Sequence, residues 1–142
     1  MTDQPLNDYL ANLLAQANRQ VGRRLDRAFS AEGVPVEQWR ILAVLGDGAG
    51  RSMGELAEAV AMNHPTLTKM IDRMVSNALV YRAPDPADRR KVLIFASDRG
   101  FAVNQRLSRL ARRHQAEMSQ TCGDQETADL KRLLEGLIAR TR

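Results

Sequence analysis

Two helix starts a few residues apart, followed at once by a hairpin tipped with arginines, constrain this chain more than any other feature, and all of them lie between Ser52 and Gly100. In Ser52-Met53-Gly54-Glu55 the Ser52 hydroxyl is placed to accept from the Glu55 amide while the Glu55 carboxylate returns to the Ser52 amide, a capping box that opens a helix. Leu56, Ala57 and Val60 fall on one face of it, and the apolar run stops at Met62. Asn63 then caps a second helix, and Pro65 sits in its first turn, where a missing N–H loses no hydrogen bond. The spacing predicts two short helices meeting at a tight corner.

Along the second helix Leu67, Ile71, Met74 and Ala78 recur at steps of four, three and four, which predicts one buried stripe. Pro65, Thr66, Lys69, Asp72, Arg73 and Ser76 point the other way. Short hydrogen-bonding groups and two cations thus crowd the exposed N-terminal turns, as on a helix that enters the major groove of duplex DNA. Taken alone, the same pattern also describes an ordinary amphipathic surface helix.

The segment after this helix decides between the two readings. Val80-Tyr81-Arg82-Ala83 reads as a strand and Pro84-Asp85-Pro86-Ala87-Asp88 as a turn cluster. Lys91-Val92-Leu93-Ile94-Phe95-Ala96 reads as a second strand rich in branched and aromatic residues, with Arg89 and Arg90 between the two. A two-stranded hairpin is marginal by itself and must lean on the helical body, so its tip projects as a wing at a fixed place beside the helix. An arginine there suits the negative potential of a narrow minor groove, and Asp88 is expected to orient Arg89 through a bidentate pair. The competing reading of Asp88, Arg89, Arg90 and Lys91 is a solvated charge run.

These residues resemble the MarR family of bacterial winged-helix transcription regulators. Asp88-Arg89-Arg90-Lys91-Val92-Leu93-Ile94-Phe95-Ala96-Ser97-Asp98-Arg99-Gly100 is similar to the family's wing signature, an Asp-Arg-Arg tip, a strand, then a capped helix whose first turn ends in glycine. Pro65-Thr66-Leu67-Thr68-Lys69, followed by Ile71-Asp72-Arg73-Met74, resembles the start of the family's recognition helix. Ala96-Ser97 stands where the family usually has Leu-Thr, and Ser97 still caps a helix. The motifs cover about Val36 to Leu110, and the flanks agree in pattern and length.

The resemblance implies a mainly α fold with a small β-hairpin wing: a winged helix-turn-helix core flanked by long N- and C-terminal dimerisation helices. One domain is expected over residues 1–142, with the DNA-binding lobe at about 36–97 and the dimerisation helices at about 5–32 and 98–142. The residues expected at DNA are Ser52, Asn63, His64, Pro65, Thr66, Thr68, Lys69, Arg73, Arg89 and Arg90, with Asp88 orienting the wing.

The flanking pattern is helical throughout. Leu6, Leu10, Leu13, Ala17, Val21, Leu25 and Phe29 recur every three or four residues and predict one long helix ending before Gly33-Val34-Pro35. Trp39, Ile41, Leu42 and Leu45 predict a short second helix, closed by a loop over Gly46-Asp47-Gly48-Ala49-Gly50. After Ser97 a long helix carries Val103, Leu107, Leu110, His114 and Met118 on one face; Gly123-Asp124 is expected to stop it and cap a last helix with Leu130, Leu133, Leu134, Leu137 and Ile138. A small central lobe cannot cover all these stripes, and a partner subunit is the simplest acceptor. A homodimer, which the resemblance also implies, predicts a pseudo-palindromic operator with half-sites ~10 bp apart.

Composition agrees with a DNA partner. Of 142 residues 44% are apolar and 27% charged, ordinary for one globular domain. The net charge is +4 and the isoelectric point about 9.8, from 21 basic against 17 acidic side chains. Arg99, Arg106, Arg109, Arg112 and Arg113 are answered nearby only by Asp98 and Glu117, so part of the basic surface lies beyond the wing. No apolar run approaches the ~20 residues that span a bilayer, and Met1-Thr2-Asp3-Gln4-Pro5 lacks the regions of a secretory signal, so no membrane partner and a cytoplasmic location are expected. The single cysteine, Cys122, fits a reducing compartment.

Enzymatic chemistry is not expected. No glycine-rich phosphate loop, nucleophile elbow or metal-ligand spacing occurs, and His64 and His114 are the two histidines, so neither metal nor cofactor is predicted. The resemblance does imply a small aromatic or phenolic acid as effector, held between the dimer helices and the lobe and releasing a repressor from its operator. For that cleft Trp39, Arg40 and His114 are nominated, as an aromatic plane, a guanidinium and an imidazole. Against this, Trp39 also reads as core and Arg40 as a surface or phosphate-contacting side chain. Two alternatives remain beside the ligand-responsive repressor: a thiol redox switch at Cys122, whose neighbours Gly123 and Asp124 supply no cation to activate it, and a winged-helix protein-interaction module.

Overall fold

In chain order the helices are α1 (Leu10–Phe29), α2 (Val36–Val44), α3 (Met53–Ala59), α4 (His64–Ser76), α5 (Asp98–Cys122) and α6 (Asp124–Thr141), with β1 (Val80–Pro84) and β2 (Val92–Ala96) between α4 and α5. The computed structural model describes residues 4–142; Met1, Thr2 and Asp3, part of the segment read for a secretory signal, lie outside the described residues.

The central helices begin where side chains take over unpaired amides. Ser52 Oγ accepts from the Glu55 N–H at 3.1 Å and Glu55 Oε1 accepts from the Ser52 N–H at 3.3 Å, so the capping box opens α3 as expected. Asn63 Oδ1 accepts from the Thr66 amide at 2.9 Å and opens α4, with Pro65 in its first turn.

Both helices end without glycine. Ala61 and Ala78 take left-handed φ values of 54° and 59°. The Met62 N–H then reaches back to the Ala57 carbonyl at 3.0 Å, and the Leu79 N–H to the Met74 carbonyl at 2.9 Å. This corrects the expected stripe on α4: Leu67, Ile71 and Met74 are fully buried, but the helix stops at Ser76 and Ala78 is exposed. The left-handed residue breaks the helical period and turns Leu79 into the core instead.

The hairpin is antiparallel, in register from Val80 opposite Ala96 to Pro84 opposite Val92. It leans on the body through Ile94, whose inward side chain is buried, and Tyr81 stacks on Phe95 at 5.5 Å. Arg51 adds a further strand-like contact, exchanging backbone bonds with Ile94 at 3.0 and 2.8 Å. Asp47 accepts from the Arg51 guanidinium at 2.6 Å just before that contact. The stretch expected to be loop therefore begins as a 3-10 turn over Leu45–Asp47 and ends as an edge of the wing.

Ser97 locks α5 onto the turn after α4. Its hydroxyl accepts from the Gly100 amide at 3.0 Å and donates to the Ala78 carbonyl at 2.6 Å, while its own N–H donates to the Leu79 carbonyl at 3.0 Å. Gly100 is buried, and a Cβ there would run into that Leu79 carbonyl and meet Leu42 at 3.2 Å.

The buried core runs from Phe29 to Leu107 and draws on α2, α3, α4, both strands and the first half of α5. The terminal helices differ. Phe29 is the one fully buried residue of α1, and α6 has none. Leu10, Leu13, Leu14 and Val21 on α1, and Leu130, Leu133 and Ile138 on α6, remain exposed. One boundary departs from the expected one. Leu6–Asp8 forms a separate 3-10 turn and Tyr9 is extended, so the first long helix starts at Leu10. Gly123-Asp124 stops α5 and opens α6 as expected: Gly123 occupies the shared cap position at φ 98°, and the Asp124 carboxylate accepts from Ser119 Oγ at 2.6 Å.

Candidate nucleic-acid interface

Asn63 fixes where α4 begins, so it also fixes which side chains its first turns present. His64, Pro65, Thr66, Thr68, Lys69 and Arg73 are all exposed, opposite the buried Leu67, Ile71 and Met74. Asn63 immediately precedes them and Ser52 stands at the start of α3, and each spends a side-chain oxygen on capping its own helix. The Thr68 hydroxyl donates to the His64 carbonyl at 2.9 Å, leaving its oxygen lone pairs free to accept. The positive end of the α4 dipole lies at this exposed turn, which favours a phosphate nearby.

The hairpin tip is braced by its own aspartates. Asp85 Oδ1 accepts from the Ala87 amide at 2.9 Å, and the Asp85 amide donates to the Lys91 carbonyl at 2.9 Å. Asp88 orients Arg90 rather than Arg89: its Oδ1 accepts from both the Arg90 backbone amide and Arg90 Nε, each at 3.2 Å. The geometry of an aspartate two residues before a turn amide selects Arg90 for this bond. Arg89 is exposed and takes part in no ion pair among the described residues.

Helix and wing are joined by a contact that sequence reading missed. Arg82 on β1 donates to Asp72 Oδ1 on α4 at 2.6 Å. Both residues carried charge and exposure in the sequence, but their pairing needs the hairpin to return beside the helix. This bond ties the helix that carries Lys69 and Arg73 to the hairpin that carries Arg89 and Arg90, all four exposed.

The residues nominated for an effector are not brought together. Trp39 packs edge-on against Phe29 at 5.4 Å, donates from Nε1 to Ser108 Oγ at 3.1 Å, and lines a groove of about 570 Å³ with Ser108, Ala111, Arg112 and Gln115. His114 lines a different cavity, between α1 and α5, and Arg40 is exposed and lines neither. The two grooves use different faces of α5, Leu110, Arg113 and His114 on one and Ser108, Ala111, Arg112 and Gln115 on the other. Cys122 is exposed at the end of α5. No group of three or more His, Cys, Asp or Glu side chains among the described residues is placed to hold a metal ion, and no described helix is long and apolar enough to cross a membrane.

Comparison with known proteins places this geometry. A family model described as MarR family matches residues 32–91, which span α2, α3, α4 and the wing tip. The multiple antibiotic resistance protein MarR of Escherichia coli is 28% identical over 131 residues, covering 91% of this chain and 90% of that protein. The crystal structure of a MarR family transcriptional regulator from Silicibacter pomeroyi matches with a TM-score of 0.85 at 27% identity, covering 99% of this chain and 100% of that one. A mutant Escherichia coli MarR complexed with operator DNA matches with a TM-score of 0.82 at 25% identity, covering 95% of this chain and 99% of that one.

Proposed function

We propose that this chain is a transcriptional regulator of the MarR type, a sequence-specific repressor acting as a homodimer on a pseudo-palindromic operator. The observation that carries the reading is the pairing of two exposed cationic arms, the first turns of α4 and the Arg89 tip, held in one frame by Asp72 and Arg82. The first arm suits base edges in the major groove and the second the adjacent minor groove. The operator complex of the mutant Escherichia coli protein is a precedent for this fold on DNA.

Exposed Leu10, Leu13 and Val21 on α1 and Leu130, Leu133 and Ile138 on α6 support the dimer, since apolar faces of this kind are stable in water only when covered. Two-fold symmetry then sets half-sites ~10 bp apart. For the effector, the Trp39 groove supports a small aromatic or phenolic acid: the indole offers a plane and Arg112, which sequence reading did not nominate, a guanidinium in place of Arg40. Such a ligand acts through different affinities for DNA-bound and free lobe spacings.

Selection of bound duplexes from a random pool at ~150 mM salt tests the reading, because that salt suppresses purely electrostatic binding. Recovery of a palindrome with ~10 bp half-site spacing is the expected result. No enrichment would overturn sequence-specific binding and favour a protein-interaction module.

A further inference from the structure

The groove between α1 and α5 gathers positive charge that no ion pair among the described residues neutralises. It encloses about 520 Å³ and is lined by Arg24 and Arg27 from α1 and Arg113, His114 and Glu117 from α5. The ion pairs among the described residues use Arg51, Arg82, Arg90, Arg106, Lys131 and Arg132, and none of the three groove arginines. With Glu117 as the one carboxylate in the lining, the groove holds two uncompensated positive charges. His114 Nε2 is buried with no hydrogen-bond partner, the one side-chain polar atom in that condition among the described residues. A buried polar atom without a partner is unfavourable, and this one belongs to a side chain that lines the cationic groove.

We propose that this groove is an anion site, separate from the Trp39 groove, for a small organic dianion that bridges α1 and α5. The two excess charges call for two negative charges, presented as a pair of carboxylates or as a phosphate ester. Planar guanidiniums from both helices fit such oxyanions bidentately, and the His114 Nε2 hydrogen bond completes the set. Leu110 and Met118 in the lining provide apolar contact for the ligand's carbon body. The cavity volume lies within the range that suits small molecules, roughly 300–1,000 Å³. Residues Leu110, Arg113, His114 and Glu117 repeat at helical spacing on one side of α5, whereas Ser108, Ala111, Arg112 and Gln115 face the Trp39 groove. An occupant here ties α1 to α5 and so restrains the helices proposed to carry the lobes. That regulatory consequence rests on the repressor reading; the binding itself does not.

Calorimetric titration of the full chain without DNA tests it, with phthalate, phenyl phosphate and benzoate as probes. Phthalate or phenyl phosphate is expected to bind at least about tenfold more tightly than the monoanion benzoate, the better of the two identifying a dicarboxylate or a phosphate ester. Arg24→Gln and Arg113→Gln should each weaken that binding about tenfold or more, while Arg132→Gln, which removes a distant cation, leaves it unchanged. The proposal is overturned if neither dianion binds below ~10 mM. It is equally overturned if Arg112→Gln abolishes binding while Arg113→Gln does not, which places the probes in the Trp39 groove. Sedimentation of Arg113→Gln should match the wild type; a changed oligomeric state would make the groove a subunit contact and end the proposal. Probe failure with operator selection intact would remove the anion site alone, and failed selection with intact probe binding would remove the repressor reading alone.

Discussion

The Asp72 carboxylate on the exposed face of α4 accepts from the Arg82 guanidinium of β1 at 2.6 Å, so the helix assigned to the major groove is tied directly to the wing. The two side chains are 61% and 39% exposed, and an ion pair so well solvated stabilises a fold by only ~0–1 kcal/mol. Its expected effect on DNA binding is geometric. Asp72→Asn raises the net charge by one and Arg82→Gln lowers it by one, so a purely electrostatic role would move affinity in opposite directions. Both variants are expected to lose operator affinity, by about three- to tenfold, with unfolding free energies within ~1 kcal/mol of wild type. Fluorescence anisotropy on the selected operator decides it: tighter binding by Asp72→Asn would leave the pair no positioning role.

The wing tip separates two adjacent arginines into different tasks. Arg90 is held by Asp88, whereas Arg89 has no acidic partner among the described residues. Arg89→Ala is therefore expected to weaken operator binding about tenfold or more and to reduce the slope of log affinity against log salt by about 0.9. Asp88→Ala, which loosens the tip without removing a cation, should cost less and leave that slope near its wild-type value. Binding titrations across a salt series measure both; equal slopes for Arg89→Ala and wild type would remove Arg89 from the phosphate path.

Left-handed alanines at the ends of α3 and α4 store strain that glycine would release. Ala61 and Ala78 sit at φ 54° and 59°, where a Cβ crowds the following carbonyl. Glycine avoids that clash but adds freedom to the unfolded chain, so Ala61→Gly and Ala78→Gly are each expected to stabilise by roughly 0.5–1 kcal/mol. Urea denaturation at fixed protein concentration checks this. Destabilisation by either change would show that its methyl group contributes packing worth more than the strain.

Helix starts are legible in the sequence because capping is local. Ser52, Asn63 and Ser97 each need a partner only three residues on, and all three find it. Helix ends are less legible, since no glycine marks Ala61 or Ala78 and the reversal there depends on how Leu79 enters the core. Exposure of Thr66, Lys69, Arg73 and Arg89 is set by periodicity and turn chemistry, both local. Arg82's link to Asp72 and Arg51's bridge to Ile94 are not, because each depends on where the hairpin comes to rest. The same limit explains the effector residues: Trp39 and His114 share no groove because packing, not spacing, decides what closes over each face of α5. Gly100 is visible as a motif residue, yet its reason is the Leu79 carbonyl against which it packs.

Acid should loosen the root of the wing through Asp47. The guanidinium of Arg51 hydrogen-bonds to this carboxylate, and the Ala49 amide adds a second bond at 3.0 Å, so its pKa lies below the ordinary value of 3.8. The unfolded chain therefore takes up this proton at a higher pH than the folded one. Stability from the contact is fully present above the unfolded value of 3.8 and is lost as pH falls through the lower folded value. Arg51, whose pKa is raised by the same contact, stays charged throughout this range. Because Arg51 exchanges backbone bonds with Ile94 at 3.0 and 2.8 Å, losing the Asp47 contact should first free that edge of the hairpin. Asp47→Asn is accordingly expected to speed amide exchange at Arg51 and Ile94 near pH 7, and to be less stable than wild type there, with the difference shrinking once pH drops below about 3.8. Paired urea titrations at neutral and acid pH measure it. A difference that stays constant across that window would mean that the side chain acts through the loop's shape and not through its charge.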